Sequence, residues 1–515
     1  MSTQTQPLHN TAFIHANLYK DSVALMRVAQ QLLALPDVVN ATLQMGNPAN
    51  KEILQEAGLL DAAVKDAGPS DIMVVVQGRT AAACAAAVAQ ARLNLAGQEK
   101  TVAGAAQEAM APRTIGMGLA NLADANIAQI SVPGAYAAAE ALKAVKAGLN
   151  VFMFSDNVPL AQEIALKQEA VRRGVLVMGP DCGTAILGGV PLGFANNVRQ
   201  GSIGLVAASG TGLQEVTTQI HRMGAGVSHA IGTGGRDVYA QVGGATMLQG
   251  IALLAGDATT QVLVIVSKPP SPEVTVKVMA ALVAAGKPAV VLFLGAQLKS
   301  PAPHIRVVKT LVDCAAQAVR LAKTKKAPQQ LYAMPPKPRF AASQKFLRAL
   351  YSGGTYAAEA QILWAQHGLT VWSNVAIDPI LALANPRQAS FGHTVLDLGD
   401  DEFTVGRPHP MIDQAARIDR LLKEAADPSV RVILLDVVIG WGAHADPAGE
   451  LALAIVQAKK IAARGKRQLA VIGFVCGTEL DPQVLARQEA TLQQAGMVLA
   501  GNSANAAWLA ARWLA

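Results

Sequence analysis

The sequence predicts an α/β protein made of several doubly wound parallel-sheet domains, with a small α/β unit at its N-terminus. Short apolar runs of strand length alternate with longer alanine-rich or amphipathic stretches along 515 residues, which is the rhythm of β–α–β units. The chain is 51% hydrophobic but only 4% aromatic, a composition suited to helices packed closely on strands buried on both faces. A tract rich in proline and lysine near residue 330 separates two regions of similar outline. At this length several cores can be buried.

The first unit, residues 1–105, has strands expected at 12–15, 40–44 and 71–76. Asp21-Ser22 caps a helix that stops before Pro36, and an alanine-rich helix covers 80–95. Its Met45-Gly46-Asn47-Pro48-Ala49-Asn50-Lys51 loop is either a ligand loop or a strand-to-helix turn with proline at the helix start. The second unit, residues 106–198, alternates strands (127–132, 150–155, 175–178) with helices (135–147, 160–173), a right-handed Rossmann-like crossover pattern. No GxGxxG follows any of these strands, so a dinucleotide site is not indicated. The third unit, residues 199–325, has strands at 204–208, 226–231, 262–266 and 289–294 and is flavodoxin-like, with a ligand crevice expected at the carboxyl ends of its strands. Residues 326–342 form a proline-rich basic linker. The fourth unit, residues 343–515, repeats the third with strands at 346–351, 394–398, 432–437 and 469–474.

Charge and cysteine usage exclude several functions. The net charge is +7, but Arg320 to Arg348 holds eight Lys/Arg and no acid, which leaves the rest close to neutral. That tract is expected to be a solvated linker and not a nucleic-acid surface. The four cysteines stand far apart without a CxxC, which argues against a metal cluster or a disulfide framework and for a reducing cytoplasm. No apolar run approaches the roughly 18 residues that span a bilayer, and the first ten residues lack the features of a signal peptide.

Two turns carry the strongest chemical signal. After the strand at 204–208 comes Ser209-Gly210-Thr211-Gly212, and after the strand at 346–351 comes Ser352-Gly353-Gly354-Thr355, each opening a helix. The first amides of a helix lack partners inside it, and the positive end of its dipole favours anions. Ser209, Gly210, Thr211, Gly212, Gly353, Gly354 and Thr355 are therefore the expected phosphate-binding residues, with both helix starts converging on one anion. The same small residues also suit a simple helix cap.

These turns, with Gly179-Pro180-Asp181-Cys182 and Asp427-Pro428-Ser429-Val430, resemble landmarks of succinyl-CoA synthetase, in the order of its α subunit followed by the C-terminal domain of its β subunit. On that resemblance the second unit is CoA-binding-like and the third and fourth are synthetase-type domains. Over nearly the full length the chain resembles the FdrA family, on phrases such as Val177-Met178-Gly179-Pro180-Asp181-Cys182-Gly183-Thr184-Ala185 and Gly406-Arg407-Pro408-His409-Pro410-Met411-Ile412-Asp413. The resemblance implies a subunit of an oxamate carbamoyltransferase in allantoin catabolism. That enzyme interconverts oxamate plus carbamoyl phosphate with oxalurate plus phosphate, acts with partner proteins, and needs no obligatory cofactor. An acyl-CoA synthetase component that binds CoA and a non-catalytic scaffold are the alternatives. Where the synthetases carry a Gly-His-Ala-Gly segment with the phosphorylated histidine, this chain has Gly295-Ala296-Gln297-Leu298, and Ser267-Lys268-Pro269-Pro270 stands in place of the acid that steadies it. No ATP-grasp domain precedes the fourth unit.

The catalytic residue is not identified by the sequence; His409, Arg407 and Arg236 are the candidates. Either arginine, in a glycine-bearing loop, suits a bidentate clamp on phosphate or carboxylate, and equally an ion pair. His409 suits polarising a carbonyl or moving a proton, and equally loop packing between prolines. Gly232-Thr233-Gly234-Gly235-Arg236-Asp237 is a further candidate ligand loop. His444 lacks the setting of a phosphohistidine, and Cys182 is a nucleophile at a helix start or a small buried residue.

Overall fold

The computed structural model describes residues 8–16, 18, 20, 22–56, 58–97, 112–323, 335–404 and 407–514. Asp21, Gly406, the expected boundary at 105 and residues 326–334 of the expected linker lie outside them. The chain separates into one unit of Met1–Ala111 with Thr404–Pro408, and a second of Pro112–Phe403 with His409–Ala515.

In the first unit β1 (His9–His15), α1 (Ser22–Leu33), β2 (Val38–Met45), α2 (Pro48–Glu56), β3 (Ile72–Gly78) and α3 (Ala81–Gly97) form an antiparallel sheet of order β1-β3-β2 with helices on both faces. The continuous apolar run of β3 has a direct cause in strand geometry, because successive side chains point to opposite faces. Ile72, Val74 and Val76 pack with α1 and α3 residues such as Leu25 and Ala87, while Met73 and Val75 pack with Leu54 of α2. The Met45 loop is a strand-to-helix turn: Pro48 opens α2, and Asn47 Oδ1 accepts from the Asn50 amide at 2.8 Å.

The second unit begins with α4 (Ile115–Asn121), followed by β4 (Ile127–Ile130), α5 (Gly134–Lys146), β5 (Asn150–Met153), α6 (Leu160–Arg173) and β6 (Val177–Met178), which make a parallel three-stranded sheet. Next come β7 (Thr184–Leu187), β8 (Val190–Gly193), β9 (Gln200–Ala208), α7 (Gly210–Arg222), β10 (Val227–Gly232), α8 (Ala245–Gly256), β11 (Val262–Ser267), α9 (Pro272–Ala285), β12 (Ala289–Phe293), β13 (Ile305–Val307) and α10 (Leu311–Leu321). Their sheet runs β13-β12-β11-β9-β10-β7-β8. The five parallel strands β9 to β13 thus have the flavodoxin order, with its switch point between β9 and β11. The β7–β8 hairpin, joined by Gly188 and Gly189 at φ 58° and 86°, pairs antiparallel with β10. The sequence does not announce it, since its strands are four residues long and glycine-bounded.

The remaining elements are β14 (Phe346–Tyr351), α11 (Gly354–Gln366), β15 (Val371–Ser373), β16 (His393–Asp397), α12 (Asp401–Thr404), α13 (Ala415–Ala426), β17 (Val430–Val438), α14 (Pro447–Arg464), β18 (Ala470–Cys476), α15 (Leu485–Gln494), β19 (Met497–Leu499) and α16 (Ser503–Leu514). They form an all-parallel sheet of order β15-β16-β14-β17-β18-β19 whose switch point lies at β14. The two larger sheets share one hydrophobic core. A single cluster runs from Leu205, Val264 and Leu292 through Tyr356 and Trp364 to Leu434, Phe474 and Trp513.

Between the sheets lie α7 and α11, so nearly every residue of α7 is buried although it is rich in Thr and Gln. Those polar groups are satisfied locally: Thr217 and Thr218 hydroxyls donate to the Leu213 and Glu215 carbonyls, each at 2.9 Å. One expectation is corrected. Arg348, at the end of the basic tract, is not solvated but fully buried, because it is a strand residue paired with Glu424 at 2.8 Å and Asp427 at 3.0 Å.

Candidate functional site

The carboxyl ends of β9 and β14 bring their two turns into contact. Ser209 Oγ lies 2.5 Å from Thr355 Oγ1, and a side chain on Gly353 would put its first carbon 2.3 Å from Thr211 Cγ2. Residues 209–212 and 353–355 therefore converge, and small residues are required for the approach. The hydroxyl bridge closes the space between the helix starts. On the solvent side Gly210 is exposed and Gly354 is half-buried.

The two starts are not equivalent. Ser209 caps α7, its hydroxyl accepting from the Gly212 amide at 3.1 Å. Gly353 offers α11 no side-chain cap, so the first amides of α11 keep their capacity to bind an anion. Beside them stand two groups from neighbouring strands. A side chain on Gly354 would put its first carbon 3.2 Å from Lys268 Nζ and 2.9 Å from Asp397 Oδ2. Lys268 follows β11 at one switch point; Asp397 ends β16 beside the other. Lys268 is exposed and closes no ion pair among the described residues.

Asp397 is held firmly. The Asn374 side chain accepts from its amide and donates to its carbonyl, both at 2.9 Å, and Asp397 Oδ1 accepts from the Gly399 amide at 2.9 Å. Burial pushes its carboxyl up to about 7, against the pull of the Gly399 amide and Lys268. Beneath the turn, Asp436 accepts from the amide and hydroxyl of Ser352 and pairs with buried Arg417 at 3.0 Å. These contacts fix the backbone that leads into α11.

His409 joins this group. Its Nε2 would lie 2.5 Å from the first carbon of a side chain on Gly399, and its ring packs on Phe194 with centroids 5.6 Å apart. Nδ1 accepts from the Met411 amide at 3.2 Å. Burial, with Arg417 nearby, holds the imidazole down to about 4. A neutral ring whose Nδ1 is an acceptor carries its proton on Nε2, so His409 is a hydrogen-bond donor near neutral pH.

Other candidates lie elsewhere. Arg236 pairs with buried Glu163 at 2.9 Å and donates to the Val158 carbonyl at 2.7 Å. It belongs to an ionic network in which Lys167 pairs with both Glu163 and Asp237. In the Gly232-Thr233-Gly234-Gly235 loop that precedes it, the Thr233 amide donates to the Ala207 carbonyl. Arg407 is exposed and bounds residues 405–406, which lie outside the described set. His444 Nδ1 accepts from the Asp446 amide. Cys182 is buried, and that burial pushes its thiol up to about 12, which disfavours the thiolate at neutral pH. Sequence reasoning missed Lys268 and Asp397 as site groups; the available signal was their position just past strands that flank switch points.

Three families match parts of the chain. They are an AllF, heavy metal-associated domain over residues 8–112, a CoA binding domain over 198–295 and a CoA-ligase over 350–513. Uncharacterized protein YahF of Escherichia coli K12 is 40% identical over 510 residues, covering 97% of this chain and 98% of its own. A succinate–CoA ligase [ADP-forming] subunit alpha 2 of Archaeoglobus fulgidus is 27% identical over 28% of this chain and 51% of its own, so the match spans about half of that relative. Among solved structures, a dinucleotide forming acetyl-coenzyme A synthetase 1 of Ca. Korarchaeum cryptofilum shares 15% identity over 76% of this chain and 82% of its own, at a TM-score of 0.32, a likeness that decides nothing here. Despite the name of the first domain, no group of three or more His, Cys, Asp or Glu among the described residues stands ready to hold a metal ion. Its Cys84 is buried, the thiol donating to the His9 carbonyl at 3.3 Å. No helix among the described residues is long and apolar enough to cross a membrane.

Proposed function

The chain belongs to the family of Escherichia coli YahF, and from that premise we propose that it is a cytoplasmic, FdrA-type subunit of a carbamoyltransferase that binds carbamoyl phosphate. Oxamate is the acceptor and oxalurate the product. The observation that carries this reading is the meeting of two glycine-rich helix starts beside the ammonium of Lys268, which closes no ion pair among the described residues. Carbamoyl transfer needs a seat for the departing phosphate and donors for the carbonyl oxygen. The amides of α11 and Lys268 suit the first role, and the Nε2–H of His409 suits the second. The new C–N bond forms at the carbamoyl carbon as its bond to the phosphate oxygen breaks; the proton lost by the acceptor nitrogen goes to the departing phosphate. The AllF domain supports a link to allantoin degradation, and the likeness to a ligase subunit supports action with partner proteins.

The CoA binding and CoA-ligase domains favour a second reading, a component of an acid–thiol ligase. Against it, Gly295-Ala296-Gln297 follows β12, without a histidine to carry phosphate. A scaffold role remains the third reading, and the experiment separates all three. The full chain, alone and with co-encoded partner proteins, is incubated with carbamoyl phosphate plus oxamate, and separately with ATP, CoA and a carboxylate. Phosphate release that requires oxamate supports carbamoyl transfer. Thioester formation overturns it in favour of the ligase, and no reaction in either mixture overturns it in favour of the scaffold.

A further inference from the structure

Three groups stand at Gly354, the first residue of α11: a helix start without a side-chain cap, an ammonium that closes no ion pair among the described residues, and a carboxylate oxygen without a protein donor. The last is the informative one. Asp397 is only 6% exposed, its Oδ1 is taken by the Gly399 amide, and its Oδ2, aimed at Gly354, has no hydrogen-bond partner among the described residues. A carboxylate oxygen at an anion site repels the ligand's charge. Its presence is explained by a ligand that carries an N–H donor as well as an anion.

Resting on the reading of the site as a seat for carbamoyl phosphate, we infer that Asp397 is its specificity residue: Oδ2 accepts a hydrogen bond from the carbamoyl NH2 while Lys268 and the α11 amides hold the phosphate. An acyl phosphate of the same shape has a carbon in place of that nitrogen and leaves Oδ2 unpaired, so it is rejected. The Asn374 clamp on both sides of the Asp397 peptide supplies the rigidity such discrimination requires. The charged and titratable groups facing Asp397 are Lys268 beyond β11, Asp400 in its own loop, Asp436 on β17, and His409 across Gly399. With its carboxyl raised to about 7, Asp397 is mostly ionised at pH 8 and accepts best there.

The test uses two stable phosphonates that differ only by NH2 against CH3, phosphonoacetamide and 2-oxopropylphosphonate, titrated calorimetrically into the full chain at pH 8. The wild type should bind the amide at least about tenfold more tightly, since a site built to pair a donor discriminates against the analogue lacking it. Asp397→Asn keeps the size and the Gly399 contact but turns the acceptor into a donor, so the preference should vanish or reverse. Lys268→Met should weaken both ligands alike. Equal binding of the two by the wild type, or an unchanged preference in Asp397→Asn, overturns the inference while leaving the anion site intact. Failure of both phosphonates and of inorganic phosphate to bind removes the site, and the functional reading with it.

Discussion

The hydroxyls of Ser209 and Thr355 lie 2.5 Å apart although 146 residues separate them in the chain. Each residue belongs to the first turn of a helix that leaves the switch point of its own sheet. The contact therefore couples two crevices into one, and any ligand at α11 rests on a bridge contributed partly by α7.

Breaking that bridge should be measurable as coupling and not merely as loss. Thr355→Val keeps the methyl that faces Gly212 and should destabilise by ~1 kcal/mol. Ser209→Ala also removes the cap on α7, so its cost should reach about 1–2 kcal/mol. Urea unfolding of the double variant should show a loss smaller than the sum by ~1 kcal/mol. Strict additivity would mean that the hydroxyls do not bond in solution.

Gly353→Ala should be more damaging, for a steric reason and not a backbone one. At φ −168° and ψ 139° Gly353 is extended, a conformation any residue adopts. An added carbon would meet Thr211 Cγ2 at 2.3 Å, so the helix starts must separate, at a cost of about 1–3 kcal/mol and of phosphate binding. Gly256→Ala is the matched control, because nothing lies within 4 Å of its added carbon. Unfolding and phosphate titration of both variants check this, and retained phosphate affinity in Gly353→Ala would exclude the converged turns as the site.

Much of this fold was legible because its strands are short apolar runs bounded by glycine and proline; β14 and α6 fall on the residues their patterns indicate. The convergence of the turns was legible as well, since both open helices after buried strands. The shared core was not. The tract around residue 330 suggests tethered halves, whereas Trp364 of α11 donates to the Ala507 carbonyl of α16 and packs in the same cluster as β9. Polar sequence in α7 conceals its burial, because threonine hydroxyls return to their own helix. Lys268 and Asp397 were illegible as a pair: they flank Gly354 only once the two sheets share one core, and no local spacing links positions so far apart.

His409 should stay neutral through the physiological range. Its pKa, held down to about 4, means that burial disfavours the imidazolium. The resulting stability is fully present above the ordinary histidine value near 6.5 and is lost as pH falls through about 4. Long-range 1H–15N NMR of the full chain with 15N-histidine should show one ring, absent in His409→Gln, that is protonated on Nε2 and unchanged from pH 8 to pH 5.5. A ring that titrates near 6.5 would refute this and would restore His409 as a proton carrier.

Glu215 and Glu359 occupy the same place, the sixth residue, in α7 and α11, and meet in the core between the sheets. The amide of Ser503 approaches Glu215 Oε1 at 3.4 Å and its hydroxyl donates to Glu359 Oε2, so one residue of α16 joins both carboxyls. Burial raises each to about 7; Arg222 pulls Glu215 down, while Glu359 adds to its rise. Raised acids stabilise the fold in their protonated form, so their contribution is complete below the unfolded value of 4.5 and is lost as pH rises through about 7. Glu215→Gln places a neutral amide where Oε2 has no hydrogen-bond partner among the described residues. It should therefore match the wild type near pH 5 and be more stable at pH 8 by about 1–3 kcal/mol. Melting curves of the two proteins from pH 5 to pH 8 decide it: a gap that widens with pH is expected, and parallel curves would mean that the pair has no proton to lose in that range.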